Sequence, residues 1–313
     1  MRDLVVPLRL ALYGHPDSGF HWEQNCDQAL KAVGFEAIAN WPGCYRHCSL
    51  SGFLVVDVDD FKLVAPKENL KALWKLIGQK LNLEPPTPFG RFLGCETSTY
   101  DVTLEPDKIP GFHKLSCVRE GESQSSARRK ARVMEYDMHL FMRSCVSLYE
   151  ELTERPLSNR EVHTPFLDDE TIWTEQGERG ELADVASKIL MKILYGARMC
   201  RYDILRATCM LARRVSKWDK ECDKRLLRLI MYIRTTADYL TYAYVGDPPE
   251  KCSIGLFADA DFAGCKSTAK STSGVVVAIV GPSTFFPLQL FLKSRIVFRP
   301  ARRRRKLSAW PWA

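Results

Sequence analysis

A chain of 313 residues that is 46% hydrophobic, 27% charged and 11% aromatic carries enough apolar side chains to build a core, which excludes an intrinsically disordered protein. Its longest purely apolar run is the six residues Val275–Val280, far short of the ~18–20 that a bilayer-spanning helix needs, so a helical membrane protein is excluded as well. The net charge of +7 belongs to one end: residues 293–313 hold eight Lys and Arg and no acid, and subtracting them leaves −1 for residues 1–292.

The first residues, Met1-Arg2-Asp3, are charged, and Pro7 and Arg9 interrupt the short apolar runs after them, so no secretory apolar core is present. Eleven cysteines without a C-x-x-C pair fit a reducing intracellular compartment, cytoplasm or nucleus, better than a disulfide framework. The nearest pair, Cys44 and Cys48 with His47 between them, has no second pair close by to complete a zinc site. Buried free thiols are the simpler reading.

In chain order, Ser18–Val33 has helical spacing through Trp22, Cys26, Ala29, Leu30 and Val33, with Gly34 where a helix would end. Phe53–Val58 is a run of strand formers that meets Asp59 and Asp60, and Phe61–Ala65 is a second apolar stretch; together they predict a β-hairpin with the acids at its tip. Lys67–Leu81 is again helical through Leu70, Leu73, Trp74, Ile77 and Leu81, closed by Pro85, Pro86 and Pro88. Residues 111–180 read as a connecting region, and polar Glu120–Arg132 as a solvated loop or exposed helix face. Three helices are expected over Leu182–Tyr195, Ile204–Val215 and Asp219–Ile233, then strands at Tyr239–Val245, Cys252–Phe262, Gly274–Val280 and Phe285–Leu292. From Ser294 the periodicity vanishes into Arg302, Arg303, Arg304, Arg305 and Lys306, which reads as a disordered basic tail suited to polyanions.

The chemistry-bearing segment is Asp57-Val58-Asp59-Asp60. Adjacent carboxylates leaving an apolar strand repel unless a cation lies between them, which suits a hard divalent ion bound through oxygen. Asp is also a favoured turn residue, so the pattern alone fits an ordinary β-turn equally. Asp57 and Asp59 are expected to alternate on one strand and face one side. Asp259 and Asp261 form a second acidic pair, on alternate residues of a predicted strand and so on one face.

Four ordered blocks over about ninety residues give this segment its context: Leu10-Ala11-Leu12-Tyr13-Gly14 ahead of Trp22, Gly34-Phe35 with Pro42-Gly43-Cys44-Tyr45, the Asp-Asp hairpin, and Phe92-Leu93-Gly94. They resemble the reverse transcriptase of copia-type LTR retrotransposon polyproteins. Further on, Arg201-Tyr202-Asp203-Ile204, Arg228–Thr236 and Phe257–Gly264 with Ser271–Gly274 look like the family's later helices and the opening of its ribonuclease H domain. The resemblance covers roughly residues 4–292.

It implies an α+β fold: a reverse-transcriptase palm-type sheet with helices over 1–110, a connecting region over 111–180, a helical connector over 181–245, the N-terminal part of a ribonuclease-H-like α/β sheet over 246–292, incomplete and with an exposed edge, and the basic tail over 293–313. It further implies Asp59, Asp60 and Asp259 as catalytic, metal-binding carboxylates for Mg²⁺ or Mn²⁺. Tyr13, Gly14, Phe92, Leu93 and Gly94 would support primer and template. The partners would be an RNA/DNA template–primer and other segments of such a polyprotein, and no membrane.

The sequence departs from the family in three places. The third polymerase carboxylate and the Ala-Phe-Leu block after it would precede the first residue, Asp57 stands where the family has tyrosine, and the Ser-Thr-Glu-Ala-Glu segment with the second ribonuclease H acid is not found beyond Gln289. The expected ancestral activity is RNA-directed DNA polymerisation with ribonuclease H, which this copy is expected to lack. The alternative is a non-catalytic nucleic-acid-binding fragment acting through Arg302–Lys306.

Overall fold

The computed structural model describes residues 14–104, 129–154, 156–167, 178–260 and 270–296. Among them the chain is mixed α and β, with two antiparallel sheets and six α-helices, and it divides into two compact units, Met1–Leu93 and Gly94–Ala313.

In the first unit α1 (Ser18–Ala32) precedes β1 (Glu36–Ala37), β2 (Cys44–His47), β3 (Gly52–Asp57) and β4 (Asp60–Val64), which form a four-stranded sheet in sequence order, and α2 (Lys67–Gly78) packs beside it. The expected spacing holds: α1 buries Cys26 and Leu30, and α2 buries Leu73 and Ile77 against Leu54 of β3 and Phe35. Gly34, at φ +91°, lets the N–H groups of Gly34 and Phe35 donate to the carbonyls of Lys31 and Leu30, which closes α1 and turns the chain into β1.

The second unit is built on a six-stranded sheet in the order β5-β6-β7-β10-β9-β8. Its strands are β5 (Glu96–Leu104), β6 (Arg129–Asp137), β7 (Thr241–Val245), β8 (Ser253–Ala260), β9 (Lys270–Gly281) and β10 (Thr284–Ile296). Four helices form its core: α3 (His139–Thr153), α4 (Ala186–Met199), α5 (Leu205–Ala212) and α6 (Lys220–Thr235), through Met142, Cys145, Ile189, Leu190, Ile193, Leu226, Leu229 and Ile233. Leu290 and Leu292 of β10 pack onto that cluster from the sheet. Asp219 starts α6 by accepting from the Cys222 N–H at 2.8 Å, while Arg214 donates to its other oxygen at 2.7 Å.

Three expectations need correction. The polar segment expected to be a loop or helix face through Arg132 enters a strand at Arg129, where Ala131 and Val133 are buried and Lys130 and Arg132 face outward. The region 111–180 also contains α3, whose Met142, Cys145, Val146 and Tyr149 repeat at helical spacing and are buried. Residues 293–296, assigned to the basic tail, continue β10 and pair with Lys270–Ser273 of β9. Residues 297–313 lie outside the described residues. Strand and helix bounds elsewhere move by up to four residues, as the shift from Leu182–Tyr195 to Ala186–Met199 illustrates.

One ionic cluster ties the helices to the sheet. Arg201, 2% exposed, donates from Nη1 and Nη2 to the carbonyl and hydroxyl of Thr236, each at 2.7 Å, and from Nε and Nη2 to both oxygens of Asp203 at 2.9 and 2.8 Å. The Tyr232 hydroxyl donates to Asp203 at 2.9 Å, and the Tyr239 ring lies 5.6 Å from the guanidinium. Burial alone would raise the Asp203 pKa, but the hydrogen bonds and charge of Arg201 and the Tyr232 hydroxyl overcome it and hold the carboxyl below its usual range. Because the folded pKa is depressed, the contribution of Asp203 to stability is complete above the ordinary carboxylate range near pH ~4 and is lost as pH falls through the folded value. Arg201→Ala is expected to destabilise the unit by about 3 kcal/mol in urea unfolding at neutral pH, and Asp203→Asn to flatten the acid limb of stability against pH.

Candidate functional site

The Asp-Asp segment forms a tight hairpin. β3 ends at Asp57, Val58 and Asp59 make the turn, and β4 begins at Asp60, which pairs across the strands with Asp57. The flanking residues choose this structure: Phe53–Val56 and Phe61–Val64 are β-formers, while Asp59 suits the turn. Asp57 and Asp59 therefore do not alternate along one strand; Asp59 has left the strand, and Asp57 faces Asp60 instead. Asp57, Asp59 and Asp60 are exposed. Like charges directly opposite each other on paired strands are destabilising, so the turn carries a built-in repulsion.

Three contacts hold that repulsive tip. Trp22 on α1 donates its indole N–H to the Val58 carbonyl at 2.8 Å. The Val56 N–H donates to the Gly43 carbonyl at 2.8 Å, with Gly43 at φ +73°, where a Cβ would sit 2.6 Å from the Val56 oxygen. Lys62 of β4 reaches its ammonium to 4.1 Å from the centre of the Phe89 ring and 4.8 Å from that of Phe92, fastening the Pro-rich segment to the hairpin. Val58 itself takes φ +52° although it is β-branched, a conformation such residues rarely adopt.

The other expected site residues are spread over both units. Gly14, at φ +88°, lies ahead of α1, and Tyr13 lies outside the described residues. Phe92 contacts Lys62, and Leu93 and Gly94 come next with φ +50° and +76°. Asp259 belongs to the second unit, exposed near the end of β8 and opposite Gly274 of β9. Asp261 and Arg302–Lys306 lie outside the described residues. Cys44 is buried as expected, whereas Cys48 is exposed with its thiol 3.8 Å from a Glu36 carboxylate oxygen. Sequence reasoning missed the indole bridge and the lysine clamp. Trp22 is legible as a helix residue, but nothing in its spacing says that it reaches Val58, and Lys62 looks like an ordinary exposed strand residue.

Compared with models of protein families, with curated proteins and with solved structures, the chain matches none of them. Among the described residues no group of three or more His, Cys, Asp or Glu side chains is gathered so that it could hold a metal ion. No described helix is long and apolar enough to cross a membrane.

Two substitutions test how the tip is held. Val58→Gly is expected to stabilise the hairpin by about 1 kcal/mol by relieving the positive φ, and Trp22→Phe to destabilise it by about 1 kcal/mol by deleting the indole hydrogen bond. Hydrogen exchange of the amides in residues 52–64, measured in the full chain, reads both changes.

Proposed function

We propose that this chain is a piece of a copia-type LTR retrotransposon polyprotein, running from the palm of a reverse transcriptase to the first strands of a ribonuclease-H-like domain. The observation that carries the reading is the hairpin, with Asp59 in its turn and Asp60 beside it, anchored by the tryptophan of the preceding helix. Support also comes from the blocks around it, which succeed one another in the family's order, and from the three antiparallel strands β8, β9 and β10, the first of which carries Asp259. On this reading the four-stranded sheet is palm-type, the partner is an RNA/DNA template–primer, the cation is Mg²⁺ or Mn²⁺, and the compartment is the cytoplasm or nucleus.

The ancestral activity is RNA-directed DNA polymerisation with ribonuclease H, and these 313 residues do not perform it. Two-metal transfer requires carboxylates placed on both ions, and the residues present supply Asp59 and Asp60 without the third. Asp57 adds negative charge opposite Asp60 at the place of the family's aromatic side chain, so it sharpens repulsion and removes a surface for the primer. In the second unit Asp259 alone cannot position two ions.

A second reading, a nucleic-acid-binding fragment without catalysis, is favoured by the five consecutive cations Arg302–Lys306 after a chain otherwise near neutrality. Deleting residues 297–313 is expected under it to remove most affinity for duplex DNA and to flatten the salt dependence by roughly 0.9 log unit per lost phosphate contact. Equal affinity and slope would show that the tail does not bind.

For the principal reading, the 313-residue chain is expected to give no primer extension on an RNA template with Mg²⁺ or Mn²⁺. Extension above background that disappears in Asp59→Asn would overturn the inactivity. The family reading is checked separately by the genomic sequence flanking the reading frame, which should carry the missing carboxylate strand on one side and the Ser-Thr-Glu-Ala-Glu segment on the other. Flanks holding neither motif in any frame would sink it.

A further inference from the structure

A buried thiol stands at the start of the second unit's sheet. Cys95, 4% exposed, directly precedes β5, and one further step of the β5–β6 register beyond the Glu96–Asp137 pair sets it beside Met138. Alternation then puts Cys95, Thr97, Tyr136 and Met138 on one face. Cys200, 2% exposed, reaches the same place from the end of α4: its carbonyl accepts from the Thr241 hydroxyl, and Thr241 pairs with Tyr136 across β7 and β6. Cys95, Met138 and Cys200 form a small buried cluster of their own, flanked by Tyr136, Phe141 and Met199. No other described cysteine belongs to it. Within it the two thiols meet. The Cys95 thiol donates to the Glu96 carbonyl at 3.6 Å, which leaves its sulfur to accept from Cys200, and the two side chains are hydrogen-bonded. That bond and burial push the Cys200 thiol well above its ordinary range, so it stays neutral at physiological pH and reacts slowly.

We infer that Cys95 and Cys200 are a latent redox pair, reduced in the structure described and closed to a disulfide when the chain meets a small-molecule disulfide as oxidant. One cysteine loses its proton and its sulfur attacks the small disulfide, forming a mixed disulfide and releasing one small thiolate. The second cysteine sulfur, deprotonated in turn, displaces the other thiolate and leaves the protein bridged. Two protein thiols are oxidised, the small disulfide is reduced to two thiols, and the two protons end on those thiols. The sulfurs, already in contact, need only close to the ~2.05 Å of a covalent bond. Such a bridge ties the start of β5 to the residue before Arg201, where the ionic cluster begins. It closes a loop of about a hundred residues, and a long loop removes more freedom from the unfolded chain than a short one. Oxidation therefore staples the second unit, and reduction releases it. The inference does not depend on the functional reading.

Overnight incubation of the full chain with oxidised glutathione, without denaturant and at mildly alkaline pH, tests it by alkylation, digestion and mass spectrometry. Uptake of glutathione by the exposed Cys48 shows that the oxidant has acted. Cys95 and Cys200 are expected in one cross-linked peptide pair that reduction separates, in preference to any other pair of cysteines, with circular dichroism unchanged. The urea midpoint of the bridged chain should rise by about 1 M or more and fall back on reduction. Cys95→Ser and, separately, Cys200→Ser should abolish both the cross-link and the shift. Cys95 and Cys200 left unlinked while Cys48 is modified, or linked mainly to other cysteines or to glutathione, would overturn the inference. A bridged chain whose urea midpoint does not rise would overturn the staple.

Discussion

The larger unit depends on a guanidinium kept out of water. A charge as deeply buried as that of Arg201 is costly unless every direction it presents is answered, and here two threonine oxygens, both oxygens of one carboxylate and an aromatic face surround it. The geometry is demanding, because a planar fork accepts few arrangements of partners. The end of α4, the short 3₁₀ turn Tyr202–Ile204 and the end of α6 must therefore meet in one orientation. The Thr241 hydroxyl, donating to the Cys200 carbonyl, carries that orientation into the first residue of β7 and so into the sheet. The cation also lies beside the carbonyl-rich end of α6, where a positive charge is favourable.

The smaller unit meets the opposite problem, since its charges are exposed and mutually repulsive and its order comes from neutral contacts. An indole N–H, a backbone bond to Gly43 and two phenyl rings over a lysine hold the hairpin from three sides. None of these contacts touches a carboxylate. The acidic tip is consequently presented to solvent in a fixed shape while its charge stays available to a cation or to nothing.

Much of this is legible in the sequence where one periodicity dominates. α1, α2 and α6 follow from apolar residues at helical spacing, and the hairpin from two β-rich runs around acids. β6 escapes such a reading because its alternation, with Ala131 and Val133 inward and Lys130 and Arg132 outward, begins within a run of cations that continues from Arg128. Counted as composition, those residues look like a solvated loop; counted at every second position, they show a half-buried strand. β5 offers Thr97, Thr99, Val102 and Thr103, and α3 its buried Met142, Cys145, Val146 and Tyr149, so both have a local signal that a single charged or polar neighbour obscures. The Arg201 cluster lies beyond reach for another reason. Thr236 and Tyr232 are some thirty residues away from it in sequence, and no spacing rule encodes which arginine goes inside.

The bulge in β10 decides which of its side chains meet the helices. Between Pro287 and Gln289 the register with β9 slips by one residue, so Gln289 faces Val277, and Leu290 and Leu292 face Val276 and Gly274 on the side that packs against the helical core. Pro287, which has no N–H to offer a ladder, sits where the ladder is already interrupted. Leu288 is the extra residue that the bulge absorbs. Loss of its codon would let the two strands pair one to one, with Pro287 still opposite Ala278 and Gln289 opposite Val277, so Leu290 and Leu292 would stay on the helix side. An in-frame deletion at this point would therefore spare the parity that the same chain would lose if the bulge closed with Leu288 still in place.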